Sequence, residues 1–547
     1  MNLRNLILLA CAWPALALAQ TAPDTWWVQF TDKDGTPYSI DAPEAFLSER
    51  SIQRRQTQGI AIDATDLPVD PAYIAAVLAL GDVQLHNRSK WFNAITIRTG
   101  DPALIEAVEA LPFVADVRST RRHAHSPAPV HKGIMGGGGG PRGGDADYGP
   151  SLHQIAMLNG HLLHLELDAR GEGMLIGVLD SGFDAVDTLD GFADLRARDG
   201  IVLTRDLAEP GADVYLGHTH GRVVLSVMAA VQPGQLIGSA PMADYALVRT
   251  EYAATEYIVE EDNWVSGAEL ADSLGCDVLN TSLGYTVFDD STQNHLPDQL
   301  DGLTTRISIA AGMASAKGMV PVQSAGNRGG DEWYFMSAPA DAIDILSVGA
   351  VFADSSYVWF SGHGPTADGR VKPDVTAMGF DTQALTGEGT VAGMNGTSLS
   401  SPVVAGLVAC LWQLHPDRTA HDIMHAVRQS ASHWTTPNAE FGHGLPNFMA
   451  AHRWLQLTAG VPDDAAAAPL QVFPVPFHDR LTVELPAGTA PVTMALHDPL
   501  GRTVWTGRTT ATGPYAITGL HALAEGAYVV RITGRGQPVV RTVLKDR

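Results

Sequence analysis

The sequence predicts a central α/β domain whose parallel sheet is covered by helices on both faces, with a small folded region on either side of it. Between Tyr148 and about Thr458, apolar runs of strand length alternate with helical stretches. Apolar strands without polar alternation are typical of a parallel sheet that is buried on both faces. Shorter, alternating strands before and after this region predict a small α+β domain and a small all-β sandwich.

Composition excludes several classes of protein. The 547 residues allow about three or four domains. With 45% hydrophobic and 17% charged residues, the chain is not disordered throughout. Its 35 basic and 60 acidic residues give a net charge of −25, which disfavours nucleic-acid binding. Only Cys276 and Cys410 follow the N-terminal segment, so we expect two buried structural thiols rather than a disulfide scaffold.

The first 19 residues are typical of a secretory signal peptide. Arg4 precedes the apolar run Leu6–Ala12, and the stretch ends in the small residues Ala17-Leu18-Ala19. We expect cleavage after Ala19 and an exported, soluble product. The alternative is a buried N-terminal helix, which Pro14 would interrupt.

Residues 20–118 predict a split βαβ domain of the ferredoxin-like type. Two helices are each preceded by an aspartate and begin with proline, a pattern typical of helix N-termini. The predicted elements are strands Trp27–Phe30, Ala94–Arg98 and Phe113–Val117, and helices Pro71–Leu80 and Pro102–Ala110.

Residues 119–147 predict a protease-accessible linker. The run Gly136–Gly140 cannot bury a core. The histidines His123, His125 and His131 leave a metal-binding tract open as an alternative.

Residues 459–469 predict a second linker, and residues 470–547 predict a β-sandwich. The turn signal Asp498-Pro499-Leu500-Gly501 separates short alternating strands. These strands are Leu481–Leu485, Val492–Leu496, Thr503–Thr506, Tyr528–Ile532 and Val539–Leu544.

Two segments of the central region place an acid and a base after secondary-structure boundaries. Asp180 follows the apolar strand Met174–Leu179, at the sheet edge where α/β proteins bind ligands. It could instead only cap the next turn. His220 opens the helix Gly221–Val231, whose positive end favours a neutral imidazole suited to a general base. The alternatives are a zinc pair with His218 and a histidine that only caps the helix or fills the core.

Ser398 lies before the buried helix Val403–Leu414, where unpaired backbone N–H groups can stabilise an oxyanion. We expect Pro402 in the first turn of this helix, where proline is tolerated. An N-cap role is the alternative for the serine. Together, an acid, a base and a hydroxyl supply the groups needed for nucleophilic acyl transfer.

These segments resemble the subtilisin-like serine proteases (subtilases). The resemblance lies in Gly396-Thr397-Ser398 with Ser401-Pro402, in His220-Gly221 and in Asp180-Ser181-Gly182. The order Asp, His, Ser along the chain is the order of subtilisin itself. The resemblance implies a subtilisin-like fold for residues 148–458 and a catalytic triad of Asp180, His220 and Ser398.

Further residues follow from the same resemblance. Asn327, in Ser324-Ala325-Gly326-Asn327, resembles the oxyanion asparagine, and Gly442-His443-Gly444 resembles the motif that closes the domain. Arg222 departs from the family pattern, which has threonine after His-Gly. The residues implied to contact the substrate are Ser282, Leu283, Gly284, Ala325 and Gly326.

The flanking regions also resemble known segments. Ser48–Gln56 and Trp91–Ala94 resemble subtilase precursors of Bacteroidetes-type bacteria, which implies that residues 20–118 are an inhibitory propeptide. A permanent accessory domain is the alternative. Residues 470–547 resemble the sorting domain of the type IX secretion system, with a carbohydrate-binding or adhesive sandwich as the alternative.

The resemblance implies a secreted or cell-surface serine endopeptidase that is made as a zymogen and works through an acyl-enzyme. An inactive surface-binding protein on this fold, or an exopeptidase, are the alternatives. The expected partners are polypeptide substrates, the propeptide and the secretion machinery, and not nucleic acid. We expect no cofactor in catalysis; structural calcium stays open as an alternative, with no ligands assigned.

Overall fold

The computed structural model describes residues 23–122, 135–136, 147–458, 472–473, 477–485, 492–498, 502–510, 513–533 and 539–545. The predicted signal peptide, the linker histidines and the linker 459–469 lie outside these described residues. The chain divides into two compact units, residues 1–451 and 452–547, which are described separately. Across the described ranges, no helix has the length and apolar character needed to cross a membrane.

The first domain is a four-stranded antiparallel sheet in the order β2-β3-β1-β4 with helices between its strands. This arrangement is the predicted split βαβ pattern. The helices α2 and α3 begin where predicted, because the carboxylates of Asp70 and Asp101 accept hydrogen bonds from their first-turn amides. The elements are β1 (Pro23–Phe30), α1 (Glu49–Gln58), α2 (Pro71–Leu78), β2 (Gln84–Ser89), β3 (Ala94–Arg98), α3 (Pro102–Glu109) and β4 (Val114–Arg122).

The central domain follows the predicted alternation of strands and helices. Its elements are β5 (Met135–Gly136), α4 (Leu152–Ala156), α5 (His161–Glu166), β6 (Leu175–Asp180), α6 (Ala193–Ala197), β7 (Ile201–Asp206), α7 (His220–Ala229), β8 (Val231–Gln232), β9 (Leu236–Ile237), β10 (Asp244–Arg249), α8 (Val259–Leu274), β11 (Val278–Thr281), α9 (Arg306–Ala316), β12 (Val320–Ser324), β13 (Leu346–Val351), β14 (Val375–Met378), β15 (Thr382–Leu385), β16 (Val391–Asn395), α10 (Thr397–Gln413), α11 (Ala420–Gln429) and α12 (Phe448–Leu457).

Seven of these strands form one parallel sheet in the order β14-β13-β12-β11-β6-β10-β7. Every residue of β6, β11, β12 and β13 is buried, as predicted for strands covered on both faces. Because the strands are parallel, their carboxyl ends share one edge of the sheet. Asp180 ends β6, Thr281 ends β11 and Ser324 ends β12 at this edge.

A smaller antiparallel sheet leads into α10. Strand β16 pairs with β15 on one side and with the short strand β5 on the other. On the β5 side, Asn395 is opposite Met135 and Met394 is opposite Gly136. The short strand β5 therefore pairs with the strand that ends three residues before Ser398.

The second unit contains two antiparallel sheets, β17-β18-β21 and β20-β19-β22-β23, which confirms the predicted all-β fold. Its core includes Phe477, Leu481, Met494, Ile517 and Val530. The strands are β17 (Val472–Phe473), β18 (Arg480–Leu485), β19 (Val492–His497), β20 (Thr503–Thr509), β21 (Gly513–Thr518), β22 (Gly526–Thr533) and β23 (Val539–Lys545).

Candidate active site

Asp180 and His220 are in direct contact at the carboxyl edge of the large sheet. Asp180 Oδ1 lies 2.7 Å from His220 Nδ1, and it also accepts a hydrogen bond from the Ser181 amide at 2.7 Å. Asp180 is fully buried and His220 nearly so. An aspartate that accepts from Nδ1 selects the imidazole tautomer whose Nε2 can accept a proton.

Two glycines allow this contact. A Cβ at Gly221 would lie 2.5 Å from the Gly182 carbonyl oxygen and 2.9 Å from the Asp180 Cβ. Gly182 has a φ of +145°, and a Cβ there would lie 2.4 Å from the His218 amide nitrogen. Helix α7 can therefore begin directly against the end of β6 only with glycine at both positions.

His218 supports the same region. Its Nδ1 lies 2.9 Å from Ser181 Oγ, and its ring stacks on that of His220 with 6.4 Å between centroids. In the described part of the chain, neither histidine belongs to a group of three side chains that could share one metal ion. The geometry favours an acid–base pair over the zinc alternative.

Arg222 contacts the loop that follows Asp180. Its Nη1 donates to Asp184 Oδ2 at 2.9 Å and to the Asp184 carbonyl at 3.1 Å. Burial lowers the pKa of Arg222, and the Asp184 carboxylate opposes this effect. The arginine that departs from the family pattern therefore pairs with Asp184, which lies in the loop between β6 and α6.

Ser398 is the second residue of α10, because the helix begins at Thr397 after the N-cap Gly396. The prediction that Pro402 lies in the first turn is wrong, since the helix starts a full turn earlier. Pro402 has no N–H to give to the carbonyl four residues before it, which is that of Ser398. Ser282 Oγ donates to this carbonyl instead, at 2.9 Å.

The link between these two serines is reciprocal. Ser398 Oγ donates to the Ser282 carbonyl at 3.0 Å. The segment after β11 is therefore tied to the start of α10 by two hydrogen bonds. Ser401 Oγ adds a third bond between the same elements by donating to Asn280 Oδ1 at 3.0 Å.

Asn327 is oriented by the residue before Ser398. Its Oδ1 accepts hydrogen bonds from the Thr397 amide at 2.8 Å and from Thr397 Oγ1 at 2.9 Å. A Cβ at Gly396 would lie 3.5 Å from Asn327 Nδ2 and 3.7 Å from the Ser398 amide nitrogen. Two N–H donors therefore border one small space beside Gly396.

The remaining predicted site residues lie on two segments that follow β11 and β12. Leu283 offers its carbonyl to Ser324 Oγ at 3.4 Å, and a Cβ at Gly284 would lie 2.7 Å from Ser337 Cβ. Ala325 is buried, and the Gly326 amide donates to Thr397 Oγ1 at 3.1 Å. The structure thus brings Ser282–Gly284 and Ala325–Asn327 to the start of α10.

The sequence analysis missed a group of buried carboxylates at the same edge. Oxygens of Glu251, Glu256 and Glu260 all lie within 4.8 Å of one another. The preceding residue, Thr250, donates its amide to the Asp180 carbonyl at 2.9 Å. The high density of acidic residues in 251–262 could have indicated this group from the sequence. The donors are of the oxygen type that Ca²⁺ binds, and the Tyr285 hydroxyl already donates to Glu251.

Family models match three parts of the chain. The subtilase family model matches residues 171–444. The model of the peptidase S8 propeptide domain of Bacteroidota matches residues 25–132, and that of the secretion system C-terminal sorting domain matches residues 471–546.

Curated relatives are similar over the central part of the chain. Subtilisin E of Bacillus subtilis (strain 168) is 27% identical over 311 residues, which cover 56% of this chain and 72% of the relative. Subtilisin of Bacillus pumilus is 28% identical over 286 residues, or 51% of this chain and 91% of the relative. Subtilisin Savinase of Lederbergia lenta is 27% identical over 284 residues, or 52% and 92%.

Proposed function

Because this chain belongs to the subtilase family of serine peptidases, we propose that it is an exported endopeptidase whose catalytic triad is Ser398, His220 and Asp180. The observation that carries the proposal is the 2.7 Å contact between Asp180 Oδ1 and His220 Nδ1 at the sheet edge. The segment after β11, the neighbour of β6 in the sheet, is tied to Ser398 at the start of α10 by two hydrogen bonds.

In the proposed mechanism, Ser398 Oγ turns from the Ser282 carbonyl towards His220 and attacks the peptide carbonyl. His220 Nε2 takes the hydroxyl proton and then gives it to the leaving amine. Asp180 holds Nδ1–H and stabilises the imidazolium that forms. Water then hydrolyses the acyl-enzyme, with His220 again as the base. These residues supply every proton transfer, so we propose that catalysis needs no redox, nucleotide or metal cofactor.

Asn327 Nδ2 and the Ser398 amide are the proposed oxyanion donors. Both lie beside Gly396, and Thr397 fixes the asparagine because its amide and its hydroxyl both donate to Asn327 Oδ1. Donors that are held in place before the reaction stabilise the developing charge without reorganisation. The N-terminus of α10 carries a partial positive charge, which also stabilises the negative oxygen.

The segment Ser282–Gly284, facing Ala325 and Gly326, is the proposed binding site for an extended peptide. Pairing through main-chain groups gives affinity with little demand on sequence. It also needs no free peptide terminus, which favours an endopeptidase over an exopeptidase.

We also propose the division of the chain that the sequence predicts. Residues 1–19 would be a signal peptide, 20–118 an inhibitory propeptide, 119–147 and 459–469 linkers, and 148–458 the peptidase domain. Residues 470–547 would direct the protein through the type IX machinery to the cell surface or medium. The match of a C-terminal sorting domain to residues 471–546 supports export.

A fluorophosphonate probe tests the nucleophile. The processed protein should be labelled, and Ser398→Ala should abolish the label, whereas an inactive binding protein would stay unlabelled in both forms. Ser400→Ala is the matched control, because this buried serine lies two residues further along the helix. Peptides blocked at both ends then separate the activities, since an exopeptidase would leave them uncut.

Mass spectrometry of the secreted protein tests the proposed processing. Retention of residues 24–118 and 470–547 in the medium would contradict the roles proposed for the two flanking domains.

A further inference from the structure

Trp359, in the segment between β13 and β14, presents an apolar ring to solvent. The residue is 57% exposed. Its ring centroid lies 5.8 Å from the centroids of both Phe352 and Phe380, and those two rings lie 4.6 Å apart. We call these three side chains the aromatic platform. An exposed apolar surface built from several large side chains is typical of a binding site.

The platform lies at the same edge of the large sheet as the proposed active site. Phe352 is the first residue after β13, and Phe380 is the second residue after β14. The strand order β14-β13-β12-β11 places the segments that follow these strands side by side along the carboxyl edge. In that order the segments carry Phe380, Phe352, Asn327 and Ser282–Gly284. The platform and Ser282–Gly284 are therefore on opposite sides of Asn327.

Trp359 packs against the chain that continues from Asn327. The Gly329 amide donates to the Phe360 carbonyl at 2.9 Å. A Cβ at Gly330 would lie 3.3 Å from Trp359 Cδ1. The indole ring is therefore held against the third residue after the proposed oxyanion asparagine.

Phe380 is held next to the chain that leads into α10. Gly379, the residue before it, accepts the Gly396 amide at 2.7 Å. The amide of Asp381, the residue after it, donates to Asn395 Oδ1 at 2.7 Å. The platform thus adjoins both of the segments that border the small space beside Gly396.

The position of the platform relative to a substrate follows from the proposed acyl-enzyme. The acyl group stays bound to Ser398, and two hydrogen bonds tie this serine to Ser282. Residues before the cleaved bond then pair with Ser282–Gly284, and the leaving part of the substrate extends past Asn327 towards β13 and β14. Neighbouring strands are about 4.8 Å apart, so these strand ends lie about 5–10 Å beyond Asn327. An extended peptide covers that distance in two or three residues.

We propose that the aromatic platform binds an apolar side chain of the substrate at the second or third residue after the cleaved bond. This inference rests on the proposed function and makes Trp359 a residue that determines specificity. Aromatic side chains gain most from the platform, because ring pairs attract beyond the area that they bury. An acidic side chain gains least, because the face of an aromatic ring carries negative partial charge.

The test uses the processed protein and peptides that are blocked at both ends. The peptides are identical except for phenylalanine, alanine, aspartate or lysine at the second or third residue after the cleaved bond. Mass spectrometry of the products confirms that the same bond is cut. At one of these two positions, phenylalanine should raise kcat/KM about five- to tenfold over alanine, and aspartate should give the lowest value.

Variants of Trp359 show whether the platform causes this preference. Trp359→Ala should reduce the ratio of phenylalanine to alanine to below about twofold, and Trp359→Phe should keep most of it. Leu165→Ala is the matched control, since this leucine of α5 is 50% exposed and precedes β6. It should leave the ratio unaltered. If Trp359→Ala does not fold, Trp359→Lys serves in its place and should favour aspartate over phenylalanine.

The outcomes separate this inference from the proposed function. Equal rates for all peptides, a preference for lysine over phenylalanine, or a ratio that Trp359→Ala leaves unaltered would overturn the platform alone. A processed chain that takes no fluorophosphonate label and cuts no peptide would overturn the proposed function, and the platform with it.

Discussion

The hydrogen bond from Ser282 Oγ to the Ser398 carbonyl should contribute most to stability when proline occupies position 402, four residues after Ser398. In the structure Pro402 cannot serve this buried carbonyl, and Ser282 does so at 2.9 Å. Ser282→Ala should therefore leave the carbonyl unsatisfied and cost about 1–3 kcal/mol of stability. Pro402→Ala restores an N–H at the helical position, so in that background Ser282→Ala should cost less than about 1 kcal/mol.

The assay is thermal unfolding of the four variants of this cycle, each carrying Ser398→Ala to prevent self-digestion. In a domain of about 310 residues, 1–3 kcal/mol corresponds to a fall of roughly 1.5–5 °C in the unfolding midpoint. Ser400→Ala is the control, because Ser400 Oγ donates to the Thr397 carbonyl, which also has a helical donor. An equal effect of Ser282→Ala with and without Pro402 would refute the reasoning.

Three further results are expected. Asn327→Ala should lower kcat by about 10²–10³ with little change in KM, the loss that removal of one oxyanion donor causes in subtilisin; an unchanged kcat in a peptide assay would contradict its role. Burial raises the pKa of Glu269 from 4.5 to about 7 against hydrogen bonds from the first domain. The contribution of this carboxyl group to the stability of the interface is therefore fully present below pH 4.5 and is lost as the pH rises through 7. In a Ser398→Ala chain that an added protease has cut between the first and central domains, the first domain should therefore dissociate faster at pH 8 than at pH 5. Glu269→Gln should flatten this dependence, and size-exclusion chromatography measures it. Burial raises the pKa of Cys276 to about 12 and raises that of Cys410 well above its usual value. Neither thiol should react with a thiol reagent until the protein unfolds, and rapid labelling of the native chain would contradict this.

The central sheet and the residues at its edge were predictable because their signals are local. An apolar strand that ends in Asp180, and a helix that opens with His220, each carry a recognisable pattern within a few residues. The start of α10 was not placed correctly, because proline usually marks a first turn. Pro402 is tolerated inside the helix because Ser282, more than one hundred residues earlier in the chain, donates to the carbonyl that the proline cannot serve.

Helix α1 was missed for a different physical reason. Its buried residues are Ser51, Arg54 and Arg55, so it has no apolar stripe that a hydrophobic pattern could reveal. The capping signals were present, since Ser48 accepts from the Ser51 amide and Gly59 ends the helix with a φ of +68°. The helix buries the charged side chains of Arg54 and Arg55, and their partner Asp272 lies on α8, more than two hundred residues away.

The pairing of β5 with β16 makes the exact point of chain cleavage matter for the shape of the mature peptidase. A mature chain that begins before Met135 keeps a third strand beside Asn395. One that begins after Gly136 leaves that side of β16 with free main-chain donors and acceptors. An exposed strand edge three residues from the serine can bind another polypeptide by strand addition. Removal of a few residues would therefore change a paired strand into an edge strand that can bind an extended peptide.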